Sequence, residues 1–86
     1  MIRFTVEERH LTDGDGRPVT APDAVAFHTF EAETIDDAVR LYMSDDQAEL
    51  IGNVLKFPGF QAVATVRKAS GVYTLQFTPA SHGFQL

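Results

Sequence analysis

The 86-residue sequence has no cysteine and few basic residues. Without cysteine the chain can form no disulfide, no thiolate metal site and no cysteine nucleophile. Lys and Arg together number seven, and because proteins bind nucleic-acid phosphates with these two residue types, direct nucleic-acid binding is disfavoured. No apolar run approaches the ~20 residues of a membrane span. We therefore expect a cytoplasmic protein with one domain over residues 1–86, whose core is built from its 44% hydrophobic residues.

Alternating apolar and polar residues, or runs of β-forming residues, predict four strands at residues 2–10, 24–30, 60–67 and 72–77. Residues 11–23 contain two glycines and two prolines, a density that predicts a long hairpin loop between the first two strands. Residues 79–86 have no periodicity. They are predicted to form a C-terminal tail that is either loose or docked through Phe84 and Leu86.

Between the two pairs of strands the sequence predicts a broken helix. Thr34 suits the N-cap, and Asp36 and Asp37 suit the first turn of a first helix. The apolar stripe of this helix fails after two turns, and Ser44 followed by Gln47 has the spacing of a capping box that starts a second helix. The predicted fold class is therefore α+β, in the order ββαββ: an antiparallel-rich four-stranded sheet with two short helices packed on one face.

The negative charge of the chain is concentrated in residues 31–49, which hold seven of the twelve acids and one base, a net charge of −6. The seven acids are Glu31, Glu33, Asp36, Asp37, Asp45, Asp46 and Glu49. An anionic face can dock on a basic surface that normally holds nucleic acid, so we predict these residues as contacts to a protein partner. The alternative is structural: the four aspartates lie in predicted first turns, where the helix dipole favours acids, and the three glutamates serve solubility.

Residues 13–16, Asp-Gly-Asp-Gly, look like the start of a calcium loop, in which oxygens at alternate positions surround the ion. The next ligand position is occupied by Arg17, which repels a cation. Glycine and aspartate are also the residues that hairpin turns select. We therefore predict a turn here and no calcium site.

Two other residue sets could carry chemistry. The three histidines lack the spacing of metal ligands, and none of the three serines lies in a nucleophile elbow. These residues are His10, His28, His82, Ser44, Ser70 and Ser81. We predict no metal, no cofactor and no catalytic residue, which leaves a small metal-dependent or hydrolytic enzyme as a minor alternative.

A compact, acidic, cysteine-free chain with β-hairpins around a short helix resembles small phage-encoded inhibitors of the anti-CRISPR kind. The segment Glu-Ala-Glu-Thr-Ile-Asp-Asp-Ala-Val at residues 31–39, a strand end that passes into a capped helix, is part of this resemblance. The resemblance implies that the protein binds a large nucleoprotein effector and blocks its nucleic-acid or recruitment surface, with the seven acids as contacts.

The sequence therefore predicts a non-catalytic protein-binding module that acts as an inhibitor. A self-associating domain, for example a homodimer, is the main alternative, because a four-stranded sheet leaves two edges and one uncovered face that a second copy can close.

Overall fold

The computed structural model describes residues 1–20 and 24–80 and places one helix against a five-stranded antiparallel sheet. The elements, in chain order, are β1 (Ile2–Asp13), β2 (Val25–Ala32), α1 (Ile35–Asp46), β3 (Glu49–Phe57), β4 (Gln61–Lys68) and β5 (Gly71–Pro79). The strand order across the sheet is β2-β1-β5-β4-β3, and every neighbouring pair is antiparallel. None of the helical structure in the described ranges is long and apolar enough to cross a membrane.

The predicted α+β class, with four strands and two helices in the order ββαββ, is wrong. The described structure is mostly β, with five strands and one short helix, because the second predicted helix is strand β3. Thr34 does cap α1, and its hydroxyl accepts a hydrogen bond from the Asp37 amide at 3.1 Å. Ser44, however, lies inside the same helix rather than at the start of another. Gln47 adopts a left-handed conformation with φ of 51° as the C-cap of α1. The predicted capping box is therefore the end of the first helix.

A bulge in β3 explains why its sequence looked helical. The register of β3 on β4 shifts between Ile51, opposite Thr65, and Leu55, opposite Val63. The extra residues include Gly52, whose φ of 74° breaks the extended conformation. Because a bulge inserts residues without a partner, it interrupts the two-residue period of a strand. The apolar residues on either side of the bulge then fall at a spacing that also suits a helix.

The remaining segment boundaries differ less from expectation. β1 continues to Asp13, so the first three residues of the predicted 11–23 loop belong to a strand, and an isolated bridge joins Thr12 to Pro18. β5 runs on to Pro79, which pairs with Phe4. Ala80 is also described, and its amide donates to the Arg3 carbonyl. Residues 81–86 of the predicted tail, with Ser81, His82, Phe84 and Leu86, lie outside the described residues.

The hydrophobic core lies between α1 and one face of the sheet. Its buried strand residues are Phe4, Val6, Ala32, Ala62, Ala64, Val66, Tyr73, Leu75 and Phe77, and its buried helix residues are Ala38, Val39 and Tyr42. The described side chains on the opposite sheet face, such as Thr5 and Thr74, stay at least partly exposed. The sheet is therefore covered by the helix on one side only.

Candidate functional site

A charged residue occupies the core face of β1. Phe4, Val6 and Glu8 alternate toward the core, and Glu8 is only 7% exposed. Lys68 follows Ala64 and Val66 on the same face of β4. The two charged side chains meet in space although they are 60 residues apart in the chain. Glu8 and Lys68 each continue the alternating series of core-facing residues in their strand, so the sequence does indicate that both side chains face the core. The cluster itself is not among the sites predicted above.

The Glu8 carboxylate joins four elements of the fold. One oxygen lies 3.0 Å from His28 Nε2 on β2. The other accepts hydrogen bonds from the Tyr42 hydroxyl on α1 and from Lys68 Nζ on β4. Lys68 Nζ also donates to the Tyr42 oxygen at 2.8 Å and lies 4.2 Å from the centre of the Tyr73 ring. We call Glu8, His28, Tyr42 and Lys68 the buried polar cluster.

Mutual hydrogen bonding keeps Glu8 and Lys68 charged in this buried setting. Burial alone raises the pKa of the Glu8 carboxyl, but the hydrogen bonds from Lys68, Tyr42 and His28 outweigh burial and lower that pKa to about 2. Burial lowers the pKa of Lys68, and its bonds to Glu8 and Tyr42 reverse the effect, so that the pKa is raised overall. For Tyr42, burial and the Glu8 carboxylate both raise the pKa of the phenol. Within the cluster, Glu8 is therefore an anion, Lys68 a cation and Tyr42 a neutral hydroxyl.

A second polar arrangement extends the cluster to the turn between β4 and β5. The His10 ring stacks on Tyr73 with a centroid distance of 4.1 Å, and His10 Nε2 lies 3.0 Å from the Ser70 carbonyl oxygen. The Ser70 hydroxyl lies 2.6 Å from the Tyr73 hydroxyl. Gly71 makes this close packing possible, because a Cβ there would lie 1.9 Å from the backbone oxygen of Thr12.

The geometry of the buried polar cluster fits a structural role. Tyr42 is fully buried and Glu8 nearly so, which denies a substrate access to the carboxylate. Each polar group has partners within the protein, as buried polar groups require. The cluster ties three strands to the helix and fixes the position of α1 on the sheet.

The other candidate site residues from the sequence either lie on separate elements or form hydrogen bonds with neighbouring groups. One Asp13 carboxylate oxygen accepts hydrogen bonds from the amides of Asp15 and Arg17, both at 2.9 Å, which makes residues 13–16 a turn as predicted. His10 and His28 lie on different strands with the partners described above. Within residues 1–20 and 24–80, no group of three or more His, Cys, Asp or Glu side chains could hold a metal ion.

The predicted acidic face is divided between several parts of the surface. Four of the seven acids form ion pairs with nearby bases, over distances of 2.7 to 3.5 Å. The pairs are Glu31 with Arg3, Asp37 with Arg40, Asp36 with Lys56, and Glu49 with Arg67. Among the residues that the structure describes, Glu33 and Asp45 form no ion pair. All four paired acids are substantially exposed, so each pair contributes little to stability.

Asp45 and Asp46 lie in the last turn of α1, and not in the first turn of a second helix. The negative end of the helix dipole lies there, and it disfavours acids by ~0.3 to 1 kcal/mol each. No basic residue occupies this turn. The capping explanation for these two aspartates is therefore wrong, although it holds for Asp36 and Asp37 at the other end of the helix.

Three of the predicted acids converge on one groove between the end of β2 and the outer side of α1. The groove has a volume of about 380 Å³ and is lined by Met1, Glu31, Ala32, Glu33, Asp37, Arg40, Leu41 and Ser44. We call it the acidic groove. Met1 and Leu41 are 86% and 44% exposed. The groove thus combines carboxylates with apolar side chains that water can reach.

Comparisons with known proteins identify no relative of this chain. No protein-family model matches the sequence, and neither the curated proteins nor the solved structures include a match to it. What this chain can do therefore rests on its own residues and their geometry.

Proposed function

We propose that this chain is a non-catalytic protein-binding module that docks its acidic groove on a basic surface of a larger protein. The observation that carries the proposal is the convergence of Glu31, Glu33 and Asp37 around the exposed side chains of Met1 and Leu41. Protein interfaces typically have an apolar centre surrounded by a polar rim. Carboxylates around such a centre attract a basic partner and orient it before contact.

The position of Asp45 supports a partner-directed role for the acidic segment. An acid in the last turn of a helix lowers local stability, and Asp45 follows Ser44, which lines the acidic groove. Neither capping nor an ion pair within the described residues accounts for this aspartate. A basic partner that contacts this end of α1 would account for it.

The chemistry of the acidic groove also indicates what it would not bind. Carboxylates repel nucleic-acid phosphates, so the proposed partner is a protein and not a nucleic acid. A surface that normally holds nucleic acid would present the required lysines and arginines. A cytoplasmic inhibitor of the anti-CRISPR kind would bind such a surface on its target protein. The observed element order is ββαβββ, so this resemblance now rests on size and charge and no longer on element order.

Site-specific photo-crosslinking in the source cell tests the proposal. A photoreactive phenylalanine analogue in place of Leu41 lies in the acidic groove, and the same analogue in place of Thr74 lies on the uncovered sheet face as the matched control. We expect the probe at residue 41 to capture a protein with a basic surface and the probe at residue 74 to leave that protein uncaptured. Equal capture from both positions, or capture from residue 74 alone, would remove the groove from the proposal.

A further inference from the structure

The two edge strands of the sheet differ in how they are protected against pairing with another strand. On β3, the bulge at Gly52 and the exposed Lys56 are features that block strand addition at an edge. β2 has neither. Its register on β1 is unbroken from Ala32 to Val25, and it contains no lysine, arginine or proline. β2 is therefore the edge that can accept another strand.

The hydrogen bonds of β1 show which backbone groups of β2 face outward. The His10 amide donates to the Ala24 carbonyl at 2.6 Å, in the register of the β1–β2 pair. In an antiparallel strand the backbone N–H and C=O groups of successive residues point to alternate neighbours. Those of the even-numbered residues of β2 therefore bond to β1. The Arg3 carbonyl accepts a hydrogen bond from the Ala80 amide on the β5 side. The odd-numbered residues of β1 therefore bond to β5, which leaves its even-numbered residues to bond to β2.

The odd-numbered residues of β2 therefore present their N–H and C=O groups at the open edge. They are Val25, Phe27, Thr29 and Glu31. Their side chains lie on the uncovered sheet face, and Phe27 is 67% exposed. An edge with free backbone groups beside an exposed aromatic ring is suited to β-strand addition.

We propose that β2 pairs antiparallel with β2 of a second copy of this chain, so that two five-stranded sheets join into one of ten strands. Only backbone groups that face outward on both copies can bond, and a two-fold axis at His28 satisfies this condition. It places Phe27 opposite Thr29 of the second copy and Val25 opposite Glu31 of the second copy. An isologous contact of this kind closes after two copies.

Charge and packing on the uncovered face favour this pairing with a second copy. Arg9 is the β1 neighbour of Val25, so Arg9, Val25 and Glu31 of the second copy fall in one row across the joined sheets. The two Phe27 rings become diagonal neighbours, within the ~7 to 8 Å that aromatic side chains bridge. The self-association shares Glu31 with the acidic groove, but Phe27 does not line the groove, so substitutions at Phe27 test the self-association separately from the acidic-groove proposal.

Sedimentation of the full chain over a concentration series tests the proposal with two matched lysine variants. Phe27→Lys places a charge on the β2 edge, and Leu55→Lys places the same charge on the β3 edge, at a side chain that is 57% exposed. We expect wild-type protein and Leu55→Lys to dimerise and Phe27→Lys to weaken association at least ~10-fold. A monomeric wild type at millimolar concentration, unchanged association of Phe27→Lys, or equal loss in both variants would overturn the proposal.

Amide hydrogen exchange provides a readout that does not depend on a substitution. The amides of Phe27 and Thr29 should exchange more slowly as protein concentration rises, while those of Ala26 and His28, which bond to β1, should be insensitive to it. Concentration-independent exchange at all four amides would contradict pairing at this edge. If Phe27 and Thr29 gained protection only after a different protein was added, the edge would belong to that protein and not to a second copy.

Discussion

Replacing Glu8 with glutamine would remove the negative charge of the buried polar cluster while preserving the shape of the side chain. Burial raises the pKa of Glu8, but hydrogen bonds from Lys68, Tyr42 and His28 bring it from an ordinary value of 4.5 to about 2. At ~1.4 kcal/mol per pH unit, this difference corresponds to about 3 kcal/mol of folding stability at neutral pH. The loss of one partner from a buried ion pair typically costs a similar ~3 to 5 kcal/mol, since the other charge is left uncompensated.

The pH dependence of this loss has a definite sign. Because the folded state lowers the pKa of Glu8, its stabilising contribution is present above pH 4.5 and is lost as the pH falls toward about 2. Glu8→Gln should therefore be less stable than wild type by about 3 kcal/mol at neutral pH. The difference should shrink across the window from 4.5 to about 2. Urea unfolding monitored by circular dichroism at several pH values measures both quantities.

The adjacent glutamate provides the control for this experiment. Glu7 lies on the opposite face of β1 and pairs with Arg9 at 2.8 Å near the surface, so Glu7→Gln should cost less than ~1 kcal/mol. Adding Lys68→Met to Glu8→Gln should restore part of the stability, because it removes the uncompensated charge. Equal effects of the two glutamine substitutions, or a Glu8→Gln effect that is constant with pH, would refute the reasoning.

Three further predictions concern Tyr42, the C-terminal end of α1 and the turn at Gly71. Burial and the neighbouring Glu8 carboxylate raise the pKa of Tyr42. In a Tyr73→Phe variant the ultraviolet absorbance of phenolate should therefore appear only when alkaline pH unfolds the protein. Phenolate in the folded state near pH 10 would be the contrary result. Asp45→Lys should stabilise the protein by ~0.3 to 1 kcal/mol in urea unfolding, because it reverses an unfavourable charge at the end of α1. A loss of stability would contradict the helix-dipole argument. Gly71→Ala should lower the free energy of unfolding by ~3 kcal/mol or more, since its Cβ would meet a backbone oxygen at 1.9 Å. Gly16→Ala, which has open space around the added Cβ, should lower it by only ~1 kcal/mol, and similar losses for both would contradict the close-packing argument.

The parts of the fold that could be predicted from the sequence have a regular local pattern. Phe4 and Val6 in β1, and Ala62 and Ala64 in β4, alternate with more exposed residues, which is the period of a strand covered on one face. Thr34 is the N-cap of α1, as its position in the sequence predicts. These features depend on neighbouring residues only, and a sequence displays them directly.

Strand β3 could not be predicted in this way, because a bulge shifts its register. With Gly52 in a left-handed conformation, Ile51 and Leu55 both pair on the uncovered sheet face. A spacing of four residues then replaces the two-residue period of a strand and resembles a helical stripe. The identity of this segment depends on pairing with β4, which no local pattern encodes.

The candidate sites depend on tertiary structure to different degrees. Glu8 and Lys68 stand on inward positions of their own strands, so each could have been flagged as an unusual core residue. Their contact follows from the strand order, in which β5 alone separates β1 from β4. The concentration of acids could be read from the composition, but the convergence of Glu31 and Glu33 with Leu41 depends on how α1 lies against β2.

The most direct test of the proposed function is the association rate with the protein that a probe at residue 41 captures. Glu33→Lys reverses a charge in the acidic groove, and Asp15→Lys makes the same change in the exposed hairpin loop as the matched control. The proposal predicts that Glu33→Lys slows association several-fold at low ionic strength and reduces its dependence on salt, while Asp15→Lys stays close to wild type. Equal association rates for the two variants would contradict it.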